Sequence, residues 1–149
     1  MRAVIQRVTQ SSVIVDEATT GEIGQGLLVL LGVEKDDSPT DLKYTFEKTI
    51  GLRVFEDDQE KMNLSLLDVS GQLLVVSQFT LLGDVRRGRR PSFVEAAAPE
   101  IANQMYEEFV SMARAKNIDV QTGVFQADMA VHLINDGPVT ILIDSRKKF

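Results

Sequence analysis

Hydroxyl, amide and aromatic side chains meet in the segment Ser77-Gln78-Phe79-Thr80, which directly follows a strongly apolar run. Polar groups at the end of a buried strand often line a functional site, but the same pattern arises where a strand simply emerges into solvent. A Ser or Thr hydroxyl becomes a good nucleophile only beside a base. Period-two alternation would place Gln78 and Thr80 on one face of the strand and Ser77 and Phe79 on the other. From these four residues alone, a strand end at the surface is the simpler interpretation.

Only one histidine, His132, is available as a base or a ligand, and the chain has no cysteine. A Ser-His-Asp triad would have to use His132, and no Gly-x-Ser-x-Gly turn accompanies it. One imidazole cannot form a metal site, and no acidic cluster has recognisable ligand spacing, so we expect neither a metal nor another cofactor. Alternation with Met129, Val131 and Leu133 places His132 on the opposite face of a strand, as an ordinary surface residue.

The basic residues are concentrated in one run, Arg86-Arg87-Gly88-Arg89-Arg90, with a smaller cluster at Arg146-Lys147-Lys148. The net charge of -6 and the pI near 4.8 argue against a general nucleic-acid coat, because nonspecific binding depends on cations that displace counterions. Any RNA contact is therefore expected to be local and to involve the four arginines of the first run. The alternative is that the run is only a solvated loop.

The composition excludes several classes of protein. Without cysteine, disulfides and thiol chemistry are absent. The longest purely apolar run, Leu27–Leu31, is far shorter than the roughly 20 residues that a membrane helix needs. The N-terminus has no continuous hydrophobic stretch of the signal-peptide kind. We therefore expect a cytoplasmic protein with no membrane partner.

Short strands and turns account for most of the predicted secondary structure. Strands are expected at residues 2–8, 12–16, 27–33 and 73–80, with turn glycines between residues 21 and 26. Beyond residue 118 the chain returns to strand character. There Asn135-Asp136-Gly137-Pro138 separates two alternating segments and is typical of a hairpin turn.

Two helices are predicted between these strands. The first has Ser38 as its N-cap, Pro39 at the first helical position and an acidic residue in the first turn. The second is expected to begin at Pro99 and to end near Lys116-Asn117. Its apolar face would be formed by Ile101, Met105, Phe109 and Met112. The elements together predict one α+β domain over residues 1–149, with a mostly antiparallel β-sheet or barrel-like core and two α-helices.

Five segments of the chain occur in the order and spacing of one known family. They are Met1–Val8, Gly26–Val29, Ser77–Leu81, Arg90–Phe93 and Asn135–Thr140. In these motifs the chain resembles the D-aminoacyl-tRNA deacylase family over nearly its whole length. The resemblance implies hydrolysis of the ester bond of D-aminoacyl-tRNA at the 3′ acceptor end, with rejection of L-aminoacyl-tRNA, as chiral proofreading in translation. It also allows glycyl-tRNA as a second substrate. Position 89 is Arg where some members carry Met, which leaves the details of RNA contacts open.

The resemblance further implies a homodimer whose subunits complete each other's sites. The Gly137–Pro138 bond would be cis and would face the partner's pocket, where it leaves no room for an L side chain. Arg7 matches a family residue that braces this turn. Phe125 and Met129 match positions that hold the terminal adenine, a role that suits a stacking ring and an adaptable thioether.

The resemblance also assigns Ser77, Gln78, Phe79 and Thr80 to the aminoacyl pocket. The backbone N–H groups of Phe79 and Thr80 would form an oxyanion hole, while water attacks with help from the 2′-hydroxyl of the terminal ribose. One alternative makes Thr80 a covalent nucleophile. Two alternatives from other classes are a non-catalytic module that binds the tRNA acceptor end and a structural dimer that uses the sheet as its interface.

Overall fold

The computed structural model describes residues 1–149 as two helices and one turn of 3₁₀ helix packed with a large mixed sheet. The strands are β1 Arg2–Val15, β2 Ala18–Ile23, β3 Gly26–Gly32, β4 Phe55–Glu56, β5 Met62–Leu64, β6 Gln72–Ser77, β7 Val120–Thr122 and β8 Ala130–Asp144. The helices are α1 Pro39–Gly51 and α2 Pro99–Ala115, and the 3₁₀ helix is Phe79–Leu82. Neither helix is long and apolar enough to cross a membrane.

The main sheet runs in the order β2-β1-β3-β6-β7, and β8 pairs with β1 as well. β1 is antiparallel to its three partners, whereas β3–β6 and β6–β7 are parallel pairs. The end strands β2 and β7 meet so closely that a Cβ on Gly21 would lie 2.5 Å from the carbonyl oxygen of Thr122. The sheet therefore nearly closes, which confirms the barrel-like core and adds two parallel pairings to the antiparallel arrangement.

Both faces of this sheet are buried. On one face, the two helices cover a large core in which the rings of Phe46 and Phe109 meet edge to face at 5.4 Å. On the other face, Leu28 and Leu74 belong to a smaller cluster that Met129 partly covers. The alternation along β3 and β6 accounts for the division, because successive side chains of a strand point to opposite faces.

Two strand predictions are wrong in extent. β1 is continuous where two short strands were expected, and Gly21 lies within β2 instead of in a turn. The expected hairpin at residues 135–138 is instead an irregularity inside β8. Val8 pairs with Asn135 and Gln6 pairs with Thr140, so both flanks of the segment stay on the same partner strand. Because β1 holds the chain in line on either side, the turn residues 136–139 form a large bulge opposite the single residue Arg7.

The polar segment after β6 also differs from its prediction as a strand through residue 80. β6 ends at Ser77, and the chain turns into the 3₁₀ helix, which buries Leu82. The partner strand β3 ends at Gly32, so no strand remains for a longer β6 to pair with. The predicted alternation of faces across residues 77–80 is therefore wrong, and the main chain turns at this point.

Helix α1 begins as predicted. The Ser38 backbone N–H and hydroxyl donate to the Asp41 carboxylate at 2.9 and 2.6 Å, which closes a capping box at the helix start. Partial burial raises the pKa of Asp41, but hydrogen bonds from Ser38 and Ser145 outweigh it and lower this pKa to about 2. The carboxylate is therefore charged at the helix N-terminus at neutral pH.

Helix α2 has the predicted ends, and three of the four residues predicted for its apolar face are correct, because Phe109 is buried and Met105 and Met112 pack half-buried against the core. Its buried residues are Tyr106, Phe109, Val110 and Ala113. Ile101, which was expected on the core face, is 48% exposed. The predicted stripe missed Tyr106, Val110 and Ala113, because a packed helix face repeats at both three and four residues.

Candidate active site

A cleft of about 530 Å³ lies where β6 ends, between the first turn of α2 and the segment that precedes β8. Leu31 and Val76 of the sheet and Pro99 and Ala102 of α2 make much of its lining apolar. Its size falls within the range of small-molecule sites. The cleft can therefore hold a nucleoside or an amino acid side chain, but only a small part of a macromolecule.

Five of the predicted site residues line this cleft. They are Ser77, Gln78, Phe79, Phe125 and Met129. Thr80 does not belong to the lining; its side chain is exposed, and its hydroxyl oxygen accepts a short hydrogen bond from the Gln78 amide. The structure thus brings together residues that are about fifty positions apart in the chain.

The 3₁₀ helix begins at Phe79, which lines one end of the cleft. Within this turn, the Leu81 N–H bonds the carbonyl of Gln78 at 3.2 Å. Phe79 and Thr80 precede Leu81, so their N–H groups have no acceptor within the helix. Two adjacent N–H groups of this kind can stabilise a negatively charged oxygen.

Phe125 and Met129 are positioned by neighbouring residues that the sequence analysis did not identify. The ring of Phe125 lies 6.0 Å from that of Tyr106, whose hydroxyl donates to the carbonyl of Val75 at 2.9 Å. Burial raises the pKa of Tyr106 to about 12, so this hydroxyl remains a donor at neutral pH. Gly123 makes room for Met129, because a Cβ there would lie 2.5 Å from the Met129 sulfur.

Gly137 and Pro138 do not line the cleft of their own chain. Both are exposed, their peptide bond is cis as the resemblance implied, and Gly137 has a φ of +129°. The segment is held from behind by Arg7, which is 5% exposed. Arg7 Nη1 donates to the carbonyl of Val54 at 2.6 Å, and its Nε donates to the carbonyl of Asp136 at 3.0 Å. The outer face of the Gly137–Pro138 segment is consequently free.

The two basic clusters have different surroundings. Arg86, Arg87, Arg89 and Arg90 are all exposed, and of these only Arg86 has an ion pair, with Asp84 at 2.8 Å. In the C-terminal cluster, Arg146 and Lys148 pair with the buried carboxylate of Glu34 at 3.1 and 2.6 Å. The second cluster is thus largely used inside the chain, whereas three arginines of the first remain unpaired.

Ionisable side chains are sparse in the cleft. Asp128 is the only one in the lining, and it is exposed. His132 is exposed on β8, outside the cleft, as expected for a surface residue. No group of three or more His, Cys, Asp or Glu side chains is arranged to hold a metal ion.

Comparison with known proteins gives consistent matches. The family model described as D-Tyr-tRNA(Tyr) deacylase matches residues 4–144. A protein of Clostridioides difficile (strain 630) named D-aminoacyl-tRNA deacylase is 61% identical over 149 residues, covering 100% of both chains. A protein of the same name from Thermosipho africanus (strain TCF52B) is 60% identical, again over 100% of both.

Two solved structures share the fold. One, described as a c-Myc DNA Unwinding Element Binding Protein, is 40% identical with a TM-score of 0.91, and the match covers 97% of this chain and 98% of that one. The other, described as a probable eukaryotic D-amino acid tRNA deacylase, is 20% identical with a TM-score of 0.76, over 95% and 97% of the two chains. At this lower identity the likeness concerns the fold alone.

Proposed function

Because the chain belongs to the D-Tyr-tRNA(Tyr) deacylase family and is a D-aminoacyl-tRNA deacylase, a hydrolase, we propose that it removes D-amino acids from tRNA and leaves L-aminoacyl-tRNA intact. In this proposal residues 1–149 act as one domain in the cytoplasm, where aminoacyl-tRNA is used. The substrate enters with its 3′ acceptor end, and no metal or other cofactor takes part.

The observation that carries this proposal is the apolar cleft that ends at Phe79, where the 3₁₀ helix begins and the N–H groups of Phe79 and Thr80 have no acceptor within the helix. The ester carbonyl oxygen of the substrate would accept hydrogen bonds from both groups. In the tetrahedral intermediate that oxygen becomes negatively charged, and the same two bonds strengthen. Removing one such donor from an enzyme typically lowers the rate by about 10²–10³-fold.

Water performs the attack in this mechanism. Its oxygen bonds to the ester carbon, and the intermediate then breaks its bond to the ribose oxygen, which takes up the proton that water has lost. The 2′-hydroxyl of the terminal ribose can relay this proton. Thr80 is a poor candidate for the nucleophile, because its hydroxyl is exposed, lies outside the cleft lining and has no base beside it.

The cleft also suits the terminal adenosine. Phe125 offers a ring face against which a base can stack, and Tyr106 supports that ring from behind. Met129 can adapt to the edge of the base because its side chain is flexible and polarisable. Ser77 and the Gln78 side chain then border the aminoacyl group in the same cleft.

Chiral selection is assigned to the Gly137–Pro138 segment of the partner in a homodimer. This segment is absent from the cleft of its own chain and has a free outer face, and Arg7 restrains its main chain. β8 also exposes the apolar side chains of Ile134 and Leu142, which an interface would cover. A rigid main chain can exclude an L side chain by shape, but it cannot exclude a substrate that has no side chain. Glycyl-tRNA is therefore expected to be hydrolysed as well.

Hydrolysis of D-tyrosyl-tRNA and L-tyrosyl-tRNA by the purified protein tests the proposed activity. We expect release of D-tyrosine and an unchanged L-ester, whereas a binding module would leave both esters intact or protect both. A trapped acyl-enzyme would favour Thr80 as the nucleophile and contradict the attack by water.

Mixed dimers test whether the chiral element acts across the interface. One subunit carries Gly137→Ala, and the other carries Ala102→Phe, which fills its cleft; two different affinity tags allow the mixed dimer to be isolated. Action in trans leaves one intact site, so about half of the wild-type activity should return. Action within one chain would leave both sites defective, and the mixed dimer would then stay inactive. A protein that is monomeric by sedimentation velocity would also contradict action across an interface.

A further inference from the structure

The segment Asp84–Ser92, here called the arginine loop, is a closed loop beside the cleft. Its ends are joined by two hydrogen bonds, from the Asp84 N–H to the Ser92 carbonyl at 2.8 Å and from the Ser92 N–H to the Asp84 carbonyl at 2.9 Å. Phe93 follows directly and packs edge to face on Phe79, with ring centroids 5.0 Å apart. The loop is therefore anchored at the end of the cleft that has the free N–H groups.

The guanidinium group of Arg86 forms an ion pair inside this loop. Its Nε donates to Asp84 Oδ1 at 2.9 Å, and its Nη2 donates to Asp84 Oδ2 at 2.8 Å. The Arg86 backbone N–H also donates to Oδ1, at 2.9 Å. Such a two-pronged contact between guanidinium and carboxylate fixes the geometry of both partners. To bind a phosphate, Arg86 would first have to break this pair.

The other three arginines of the loop form no ion pair of this kind. Arg87, Arg89 and Arg90 are exposed and make no ion pair with any residue of the chain. The chain as a whole has a net charge of -6, but these three cations lie within four residues of one another. They therefore form a locally positive site that can attract an anion. A guanidinium group that is free and exposed is well suited to a phosphate oxygen.

We propose that Arg87, Arg89 and Arg90 bind phosphates of the unpaired 3′ strand of the tRNA, while Arg86 and Asp84 position the loop and contact no phosphate. This inference rests on the proposed function, which places the terminal nucleotide in the cleft. The nucleotides just before it would then pass over the arginine loop. Arg86 thereby differs from the role predicted for it from sequence, which grouped it with the other three as an RNA-binding residue.

Two esters with the same reacting group test this division of roles. D-tyrosyl-tRNA has the phosphates of the 3′ strand, whereas 3′-O-D-tyrosyl-adenosine has none. The quantity compared is the ratio of kcat/KM for the tRNA ester to kcat/KM for the adenosine ester. We expect Arg87→Ala, Arg89→Ala and Arg90→Ala each to lower this ratio on the order of tenfold, since each change removes a charge-assisted contact.

Salt dependence separates a phosphate contact from a positioning role. For a single strand, log kcat/KM should fall with log salt concentration with a slope of about -0.7 for each phosphate neutralised, so three contacts give about -2. Arg89→Ala should reduce the magnitude of the slope by about 0.7. Arg86→Ala should lower the ratio but keep the wild-type slope. If Arg86→Ala reduced the salt slope as much as Arg89→Ala does, Arg86 would be a phosphate contact and the proposed difference in roles would be wrong.

For Asp84→Ala, the direction of the change in the kcat/KM ratio distinguishes a positioning role from a simple effect of charge. If the loop acted only through its total charge, removing an acidic group would speed hydrolysis of the tRNA ester. If Asp84 positions the loop, as proposed, the ratio should fall several-fold. Hydrolysis of the adenosine ester reports whether each variant is folded.

The matched control is Arg114→Ala. Arg114 is exposed without an ion pair, and it lies twelve residues beyond Ala102 on α2, roughly 18 Å along the helix at about 1.5 Å per residue. Its ratio should equal that of wild type. If wild type hydrolyses both esters but the loop variants have wild-type ratios, this inference fails while the proposed function stands. If wild type hydrolyses neither ester, the proposed function fails and this inference fails with it.

Discussion

Replacing Gly137 with Ala is the change that the structure constrains most sharply. Gly137 has a φ of +129°, a conformation that residues with a Cβ rarely adopt. A Cβ at this position would lie 2.7 Å from Val139 Cγ2 and 3.1 Å from Arg7 Nη2. At the shorter distance something must move, and Val139 is buried against the core while Arg7 is held by two carbonyls.

The expected loss of stability follows from this backbone conformation. A residue with a Cβ held in a sparsely populated region costs about 1–3 kcal/mol. For a chain of this length, 1 kcal/mol corresponds to roughly 2–4 °C in melting temperature. Gly137→Ala should therefore lower Tm by roughly 2–12 °C, as measured by differential scanning calorimetry.

The expected loss of activity follows from the displacement of the main chain. If the segment completes the partner's cleft, a shift of even part of an ångström misplaces groups beside the reacting ester. A misplacement of about 1 Å can lower a rate about 10²-fold, so we expect at least about a tenfold fall in kcat/KM for D-tyrosyl-tRNA. Single-turnover hydrolysis at 25 °C, well below Tm, separates this effect from unfolding.

Gly51→Ala is the matched control for the added methyl group. A Cβ on Gly51 would have no neighbour within 4 Å, and φ at Gly51 is not in the positive range. This variant should keep its activity and be as stable as wild type, or more stable by about 0.4–1 kcal/mol. Wild-type stability in Gly137→Ala would refute the reasoning from φ and distance. Lower stability with unchanged activity on both tyrosyl-tRNA enantiomers would refute the placement of this segment at the substrate.

Three further changes test other parts of the site and the fold. Arg7→Lys keeps the charge but loses the planar guanidinium whose Nε and Nη1 donate to the carbonyls of Asp136 and Val54, so stability should fall by about 1–3 kcal/mol; an unchanged urea midpoint would contradict this. Asp41→Ala removes the acceptor at the start of α1 and should cost about 1 kcal/mol at pH 7. Because the pKa of Asp41 is lowered from 3.8 to about 2 in the folded state, its contribution is present above pH 4 and is lost as the pH falls toward 2, so wild type and variant should converge there. Asp128→Asn should change kcat by less than about threefold and leave the pH–rate profile unchanged, because the proposed mechanism needs no carboxylate base. Prolonged dialysis against EDTA should not change kcat, because the mechanism needs no metal. A loss of activity of the order of 10²-fold in the first experiment would indicate base catalysis, and in the second it would indicate metal catalysis.

Helix α1 shows what local sequence can predict well. Ser38, Pro39 and Asp41 lie within four residues of one another, and the interactions that start the helix join these neighbours. The ends of α2 were predicted for a similar reason, from Pro99 and the Lys116-Asn117 pair. The full width of the buried face of α2 could not be predicted in this way, and Ile101 was wrongly placed in it, because the sheet and α1 select the contact.

The arginine loop shows a further limit. Its sequence presents four similar arginines, and no spacing rule separates them. Only the fold of the loop brings the Asp84 carboxylate to Arg86 and leaves the other three exposed. The candidate roles of the arginines therefore depend on side-chain geometry within a loop of nine residues.

The sequence by itself determined the elements whose causes are local and, through the order of its motifs, the family to which the chain belongs. Tertiary structure alone decided that residues 135–138 form a bulge, since β1 pairs with the chain on both sides of them. It likewise ended β6 at Ser77, where β3 no longer provides a partner. Both features depend on hydrogen bonds between segments that are tens of residues apart or more, and such pairings leave no periodic signal in the segments themselves.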